Sequence, residues 1–122
     1  MDDEEGIREI VRKILEHLQC EVRVAVHGDE AISLFCKAMD EGMPFDLVII
    51  DLTINVGKGG LETLEGLSDI DPGVKAIVSS GRIDDPVMKD FQKFGFMGIM
   101  PKPYRIAEVK ELLIKLIPGY QG

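Results

Sequence analysis

Four groups of polar residues in this chain have types that could work together. They are the acidic pair Asp2-Asp3, the lone Asp51, the hydroxyls Ser79-Ser80 and the ammonium of Lys102. Asp51 directly follows the apolar run Leu47-Val48-Ile49-Ile50. A carboxylate can attack phosphorus and form an acyl phosphate. A phosphoryl group is itself anionic, so a bare carboxylate repels it. Mg²⁺ held by further carboxylates removes that repulsion and bridges to the phosphate oxygens. A hydroxyl and a Lys add donors to the same oxygens. Positioning and charge neutralisation do most of the remaining work. Each residue also has a bland reading. Asp2 and Asp3 could cap a helix, Ser80 could be an ordinary strand-end residue, and Asp51 could belong to a turn. Lys102, in a tight loop before Pro103, is costly to desolvate unless it meets an anion. The weight lies in the set rather than in any one member.

The elements between these residues decide whether they can meet. Ile7, Ile10, Val11, Ile14, Leu15 and Leu18 recur at helical spacing. Glu21 to Val26 alternates as an edge strand does. Gly28-Asp29 opens a second helix with Ala31, Leu34, Phe35 and Ala38 on one face, and Gly42-Met43-Pro44 ends it. Leu47 to Ile50 is apolar throughout, the pattern of a strand covered on both faces, and such strands are mostly parallel. Gly57, Gly59 and Gly60 lead into a helix with Leu61, Leu64 and Leu67. Val74 to Ser79 reads as a second buried strand. Asp84-Asp85-Pro86 starts a helix with an Asp cap, placing Val87, Phe91 and Phe94 inward and stopping at Gly95. Gly98 to Met100 is a short strand, and a last helix carries Ile106 to Ile117.

Alternation of this kind means a parallel sheet with helices on both faces. Ligands of such sheets bind beyond the carboxyl ends of the strands. Asp51, Ser79, Ser80 and Lys102 all fall there. Asp2 and Asp3 join them if a strand precedes residue 1, for the chain opens on a helix.

Composition narrows the function classes. The chain has 122 residues, 45% hydrophobic and 30% charged, which suits one domain over residues 1–122, with 118–122 as a linker stub. A formal net charge of −8 disfavours direct nucleic-acid contact and anionic membranes. No apolar run approaches the ~20 residues of a membrane span, and no signal pattern opens the chain. Cys20 and Cys36 lack metal-ligand spacing and read as reduced thiols of a cytoplasmic protein. His17 and His27 have no partner nearby in sequence and read as surface residues.

Asp2-Asp3-Glu4, Asp51 after its apolar strand, Ser79-Ser80-Gly81 and Lys102-Pro103-Tyr104 together resemble the CheY-like receiver domain of two-component response regulators. The resemblance spans essentially the whole chain. It implies a flavodoxin-like (βα)₅ three-layer sandwich with parallel strand order 2-1-3-4-5. It makes Asp51 the phosphoacceptor, Asp3 a direct Mg²⁺ ligand, Asp2 a ligand acting mainly through a metal-bound water, and Thr53 a ligand through its backbone carbonyl. Ser80 matches the switch hydroxyl and Lys102 the lysine that contacts the phosphoryl group. The Lys102-Pro103 peptide is expected to be cis. The sequence flavour is similar to receivers of hybrid sensor histidine kinases, which implies phosphorelay with a sensor histidine kinase or a His-containing phosphotransfer domain. Receivers also pair through the face of the fourth helix, fifth strand and fifth helix, and the Phe94 to Met100 region leaves such a homodimer open.

The chain departs from the family at three places. Ile99 stands where many receivers carry an aromatic residue, which removes the usual aromatic switch. Asn55 stands where Pro is common. The first strand, central in the implied order, is truncated or missing, so Met1 is expected to be its last residue, beside an apolar trench with unpaired backbone. Two other classes compete with a self-phosphorylating receiver that is not a conventional enzyme. A haloacid dehalogenase-type hydrolase needs a second Asp two residues after the nucleophile, where this chain has Thr53. A receiver-like protein-binding module without phosphorylation would not need Asp51, Lys102 and the acidic pair.

Overall fold

The computed structural model describes residues 1–52 and 59–120. Helix α1 (Glu5–His17) carries the predicted stripe, with Leu15 buried and Ile10 on the exposed flank. Helix α2 (Gly28–Asp40) buries Ala31 and Phe35. Strand β1 (Val48–Asp51) is followed in the element order by helix α3 (Gly60–Ile70). Strand β2 (Ala76–Ser80) is buried at every position; its run Ala76-Ile77-Val78 is covered on both faces, and Ser79 and Ser80 at its end are buried too. Strand β3 (Gly98–Pro101) precedes helix α5 (Ile106–Leu116).

The predicted fourth helix is split. Helix α4 covers only Pro86–Lys89, and Phe91–Phe94 forms a 3₁₀ turn ended by left-handed Gly95 at φ 98°. Asp85 caps α4 as expected, accepting from the Val87 N–H at 2.9 Å. The tighter turn rotates Phe94 outward, so that it is 40% exposed rather than inward-facing.

Among the described residues the sheet has three parallel strands in the order β1-β2-β3. Asp51 pairs with Ser79, and Ser80 with Pro101. The expected strand over Glu21–Val26 joins no ladder among the described residues. Its tie to the sheet runs through the Asp2 N–H, which donates to the Ala25 carbonyl at 3.0 Å. Among the described residues that single backbone bond joins the two segments, which is too few for a ladder. Met1 fills the place expected of it. Its amine donates to the Ile49 carbonyl at 2.7 Å, and its carbonyl accepts from the Asp51 N–H at 3.0 Å. That is the bonding of a parallel-strand residue opposite Ile50.

Behind Met1 the space between the 21–26 segment and β1 stays open. A cavity of about 110 Å³ is lined by Met1, Val11, Leu15, Val24, Phe35 and Ile49. A wider groove of about 760 Å³ continues past Cys20, Leu34, Phe45 and Leu47. This is the trench expected there, but its lining is mixed, with Arg23, Lys37, Glu41 and Asp46 beside the apolar side chains.

The sheet separates two cores, because successive strand side chains point to opposite faces. Ala76 and Val78 of β2 pack with Phe35, Leu64, Leu67 and Phe96 on one side. Ile77 and Met100 pack with Leu15, Val109 and Leu113 on the other. The result is the expected three-layer α/β sandwich, with three strands in ladder pairing among the described residues. Gly60 allows α3 to start against β1, since a Cβ there would lie 3.1 Å from the Asp51 carbonyl oxygen. All three strands end at the same edge.

Candidate functional site

At that edge Asp51 is the last residue of β1 and is 2% exposed. Its burial follows from the ladder, which ties Asp51 to Met1 on one side and to Ser79 on the other. Asp2 is 5% exposed, held by its N–H to Ala25 and by Arg8, whose guanidinium donates to the Asp2 carbonyl at 3.1 Å. One carboxylate oxygen of each of Asp2, Asp3 and Asp51 lies within 4.8 Å of the others.

Lys102 enters this cluster from the loop after β3. Its Nζ lies 3.0 Å from Asp2 Oδ2 and 3.3 Å from Asp51 Oδ1. Burial pulls the Lys102 pKa down. The 3.0 Å contact with Asp2 and the charges of Asp51 and Asp2 outweigh that and leave it raised, so the side chain is an ammonium at neutral pH. The two Asp2 oxygens differ in task. Oδ1 accepts from the Glu4 N–H at 3.0 Å in an Asx-type turn ahead of α1; the N-cap position is Glu4, which has no side-chain capping bond, so the capping reading of Asp2 does not hold. Oδ2 is buried with no well-aligned hydrogen bond and faces the ammonium alone. A buried carboxylate oxygen of this kind suits a cation, and the three-oxygen cluster around it is the donor set a hard divalent ion takes. These residues fit Mg²⁺.

Ser80 is fully buried at the end of β2, where its Oγ accepts from the Arg82 N–H at 3.0 Å. Its carbonyl accepts from the Lys102 N–H at 2.9 Å. The Lys102-Pro103 peptide is cis, as the resemblance implied. Ser79 points to the opposite face and shares a 2.6 Å hydrogen bond with the Tyr104 hydroxyl. Thr53, the expected carbonyl ligand, and Asn55 lie outside the described residues. His17 and His27 stay away from the cluster; His27 instead caps α2, its Nδ1 accepting from the Glu30 N–H at 3.4 Å. Cys20 and Cys36 are free thiols.

Sequence reasoning missed three participants. Arg8 was one more charge on a helix surface. Tyr104 was part of a motif without a task. The Met1 amine is enclosed beside Asp2 and Asp51, and desolvation lowers its pKa to about 6. Only the expectation that Met1 ends a strand pointed toward it.

A family model for the response regulator receiver domain matches residues 1–114. The chain is 29% identical over 112 residues to a response regulator receiver protein of Anaeromyxobacter, covering 92% of this chain and 44% of that protein. It therefore spans less than half the length of that relative. It is 24% identical over 118 residues to the sporulation initiation phosphotransferase F of Bacillus subtilis, covering 97% of this chain and 90% of that one. Among solved structures it is similar to the response regulator protein TrrA of Thermotoga maritima in complex with Mg²⁺-BeF. That match has a TM-score of 0.76 and 28% identity, and covers 95% of this chain and 94% of that one. No helix among the described residues is long and apolar enough to cross a membrane. The acidic cluster, its bridging lysine and the strand-end hydroxyl thus sit on the fold of their relatives, and the chain belongs to the response regulator receiver domain family.

Proposed function

We propose that Asp51 accepts the phosphoryl group, with Lys102 and Ser80 as its partners and with Asp2, Asp3 and Asp51 holding Mg²⁺, joined by the Thr53 carbonyl. The observation that carries this reading is the Lys102 ammonium bridging Asp2 and Asp51 inside a cluster of three carboxylates. When bound, the metal ion neutralises the carboxylates and polarises the phosphoryl oxygens. An Asp51 carboxylate oxygen forms the P–O bond as the P–N bond to a phosphohistidine breaks, and the electron pair leaves with the imidazole nitrogen. Lys102 then exchanges its contact with Asp51 for one with a phosphoryl oxygen, keeping a cation beside the new charge. Ser80 uses its hydroxyl proton for a second oxygen.

The donor in this reading is a sensor histidine kinase or a His-containing phosphotransfer domain in the cytoplasm. The sequence flavour of hybrid-kinase receivers supports a phosphorelay. Residues 1–122 act as one receiver, with the tail as a linker stub and the phosphotransfer self-catalysed rather than conventionally enzymatic. Homodimerisation through the α4–β3–α5 face belongs to the same proposal. The test is incubation with acetyl phosphate and Mg²⁺ followed by intact mass. Gain of one phosphoryl group by the wild type and none by Asp51→Asn is expected. No gain by the wild type would overturn the reading in favour of a binding-only module, and steady phosphate release over many turnovers would favour a hydrolase.

A further inference from the structure

Lys102 can serve Asp51 only if its loop is held, and two bonds hold it. The first is the Lys102 N–H to the Ser80 carbonyl at 2.9 Å. The second lies on the other face of the sheet, where Ser79 Oγ and Tyr104 Oη meet at 2.6 Å. Ser79 is 1% exposed, and the Tyr104 ring packs among the apolar residues of the α1–α5 core. Burial raises the Tyr104 pKa, so its hydroxyl stays protonated and neutral. The ring also lines the cavity behind Met1 and Asp2. A hydroxyl pair on an otherwise apolar face adds little net stability over an apolar pair of the same shape. What it does add is a directional tie, in one register, between the strand end that carries Ser80 and the loop that carries Lys102.

We infer that Tyr104 is a positioning residue for phosphoryl transfer, acting through Ser79 to fix the reach of the Lys102 ammonium. The inference rests on the proposed role of Asp51 and Lys102. With the chain pinned at the Lys102 N–H and at the Tyr104 hydroxyl, one residue lies between the pins. The lysine stem is then the remaining freedom of the ammonium. Loss of the second pin lets the loop drift, and a misplacement near 1 Å is enough to slow a positioned reaction up to ~100-fold. Metal binding responds differently. The ammonium competes with a cation for Asp2 and Asp51, so a loosened Lys102 leaves that site no weaker.

The experiment uses the full chain and the variants Tyr104→Phe, Ser79→Ala, their double and Ser79→Thr. It measures the phosphorylation rate at fixed acetyl phosphate and saturating Mg²⁺, Mg²⁺ affinity by calorimetry, and thermal stability. Each single variant is expected to slow phosphorylation about five- to tenfold, with Mg²⁺ affinity unchanged or tighter. The double variant matches the singles, because one bond is lost in all three. Ser79→Thr, which keeps the hydroxyl, retains most of the rate. Wild-type rates in both singles, multiplied losses in the double, or a joint fall of rate and Mg²⁺ affinity would overturn the inference. If Tyr104→Phe does not fold, the Ser79 variants decide it alone. Failure of the wild type to phosphorylate would instead overturn the reading beneath it.

Discussion

The site edge has two halves with unequal support. Asp51, Ser80 and Lys102 stand on or just after the ends of β1, β2 and β3, whose ladders fix one another residue by residue. Asp2 and Asp3 stand on no ladder. They are held by the Met1 amine on Ile49, the Met1 carbonyl on Asp51, the Asp2 N–H on Ala25 and the Arg8 guanidinium. Under the first half lies packed core; under the second lies the trench. The charge-neutralising side of the site is therefore the softer side. Chemistry that needs both halves is limited by the one with less beneath it.

The largest effect should come from filling that trench. Four β-branched apolar residues placed ahead of Met1 would run on along β1, beside Val24 and Ile49. Burial stabilises by roughly 1.5–3 kcal/mol per residue, against roughly 1–2 kcal/mol of backbone ordering. A net gain of about 2–4 kcal/mol is expected in urea unfolding, with Mg²⁺ affinity rising alongside. A Gly-Ser extension of equal length should do neither. Equal behaviour of the two extensions would mean that packing on that side of Met1 does not limit the acidic half.

Lys102→Met tests the joint between the halves. Without Mg²⁺, two buried carboxylates lose their shared cation, and breaking a buried pair costs several kcal/mol. Lys102 keeps 17% side-chain exposure, so a loss of about 2 kcal/mol is expected. Added Mg²⁺ should recover it by mass action, giving a larger Tm increase in the variant than in the wild type. Equal increases would show that the ammonium does not compete for the acidic half.

The Met1 amine offers a third handle. Its pKa is 8.0 in an exposed chain and about 6 in the fold. Between these values the unfolded chain binds more protons than the folded one, so stability rises with pH across that window. A shift of this size corresponds to about 2–3 kcal/mol between pH 6 and 8. Below pH 6 both states are protonated and the penalty is complete; above pH 8 it is gone. Urea midpoints across this range should show the slope, and N-terminal acetylation should flatten it.

The two halves were also unequally legible. Asp51 and Ser80 could be placed because they follow apolar runs read as strands covered on both faces, and Lys102 because it follows the short strand Gly98 to Met100. Their meeting at one edge then follows from parallel topology alone. The 21–26 segment misled because alternation reports side-chain facing and not whether a neighbour exists to pair with. Phe94 misled because helical spacing was extended through a 3₁₀ turn. Arg8 and Tyr104 were invisible because their work is done by long-range contacts, to a backbone carbonyl and to a hydroxyl on another strand. Asp2 was legible in kind but not in division, since no pattern separates a turn-forming oxygen from a cation-facing one.

The smallest effect tests the firm half from a distance. Asp85 caps the short helix α4, with Pro86 at its first position, and α4 buries Val87 and Met88 in the core against β2. Asp85→Ala removes the acceptor for the Val87 N–H and should cost about 1 kcal/mol of stability. Ser80 lies at the end of β2, but the ladder to β1 and β3 fixes its position independently of α4. Phosphorylation rate and Mg²⁺ affinity are therefore expected to stay within about twofold, because sites without shared partners behave additively. A larger change in either would mean that the paired strands transmit motion from α4 to Ser80. The contrast between a rigid half and a soft half would then fail at its rigid end.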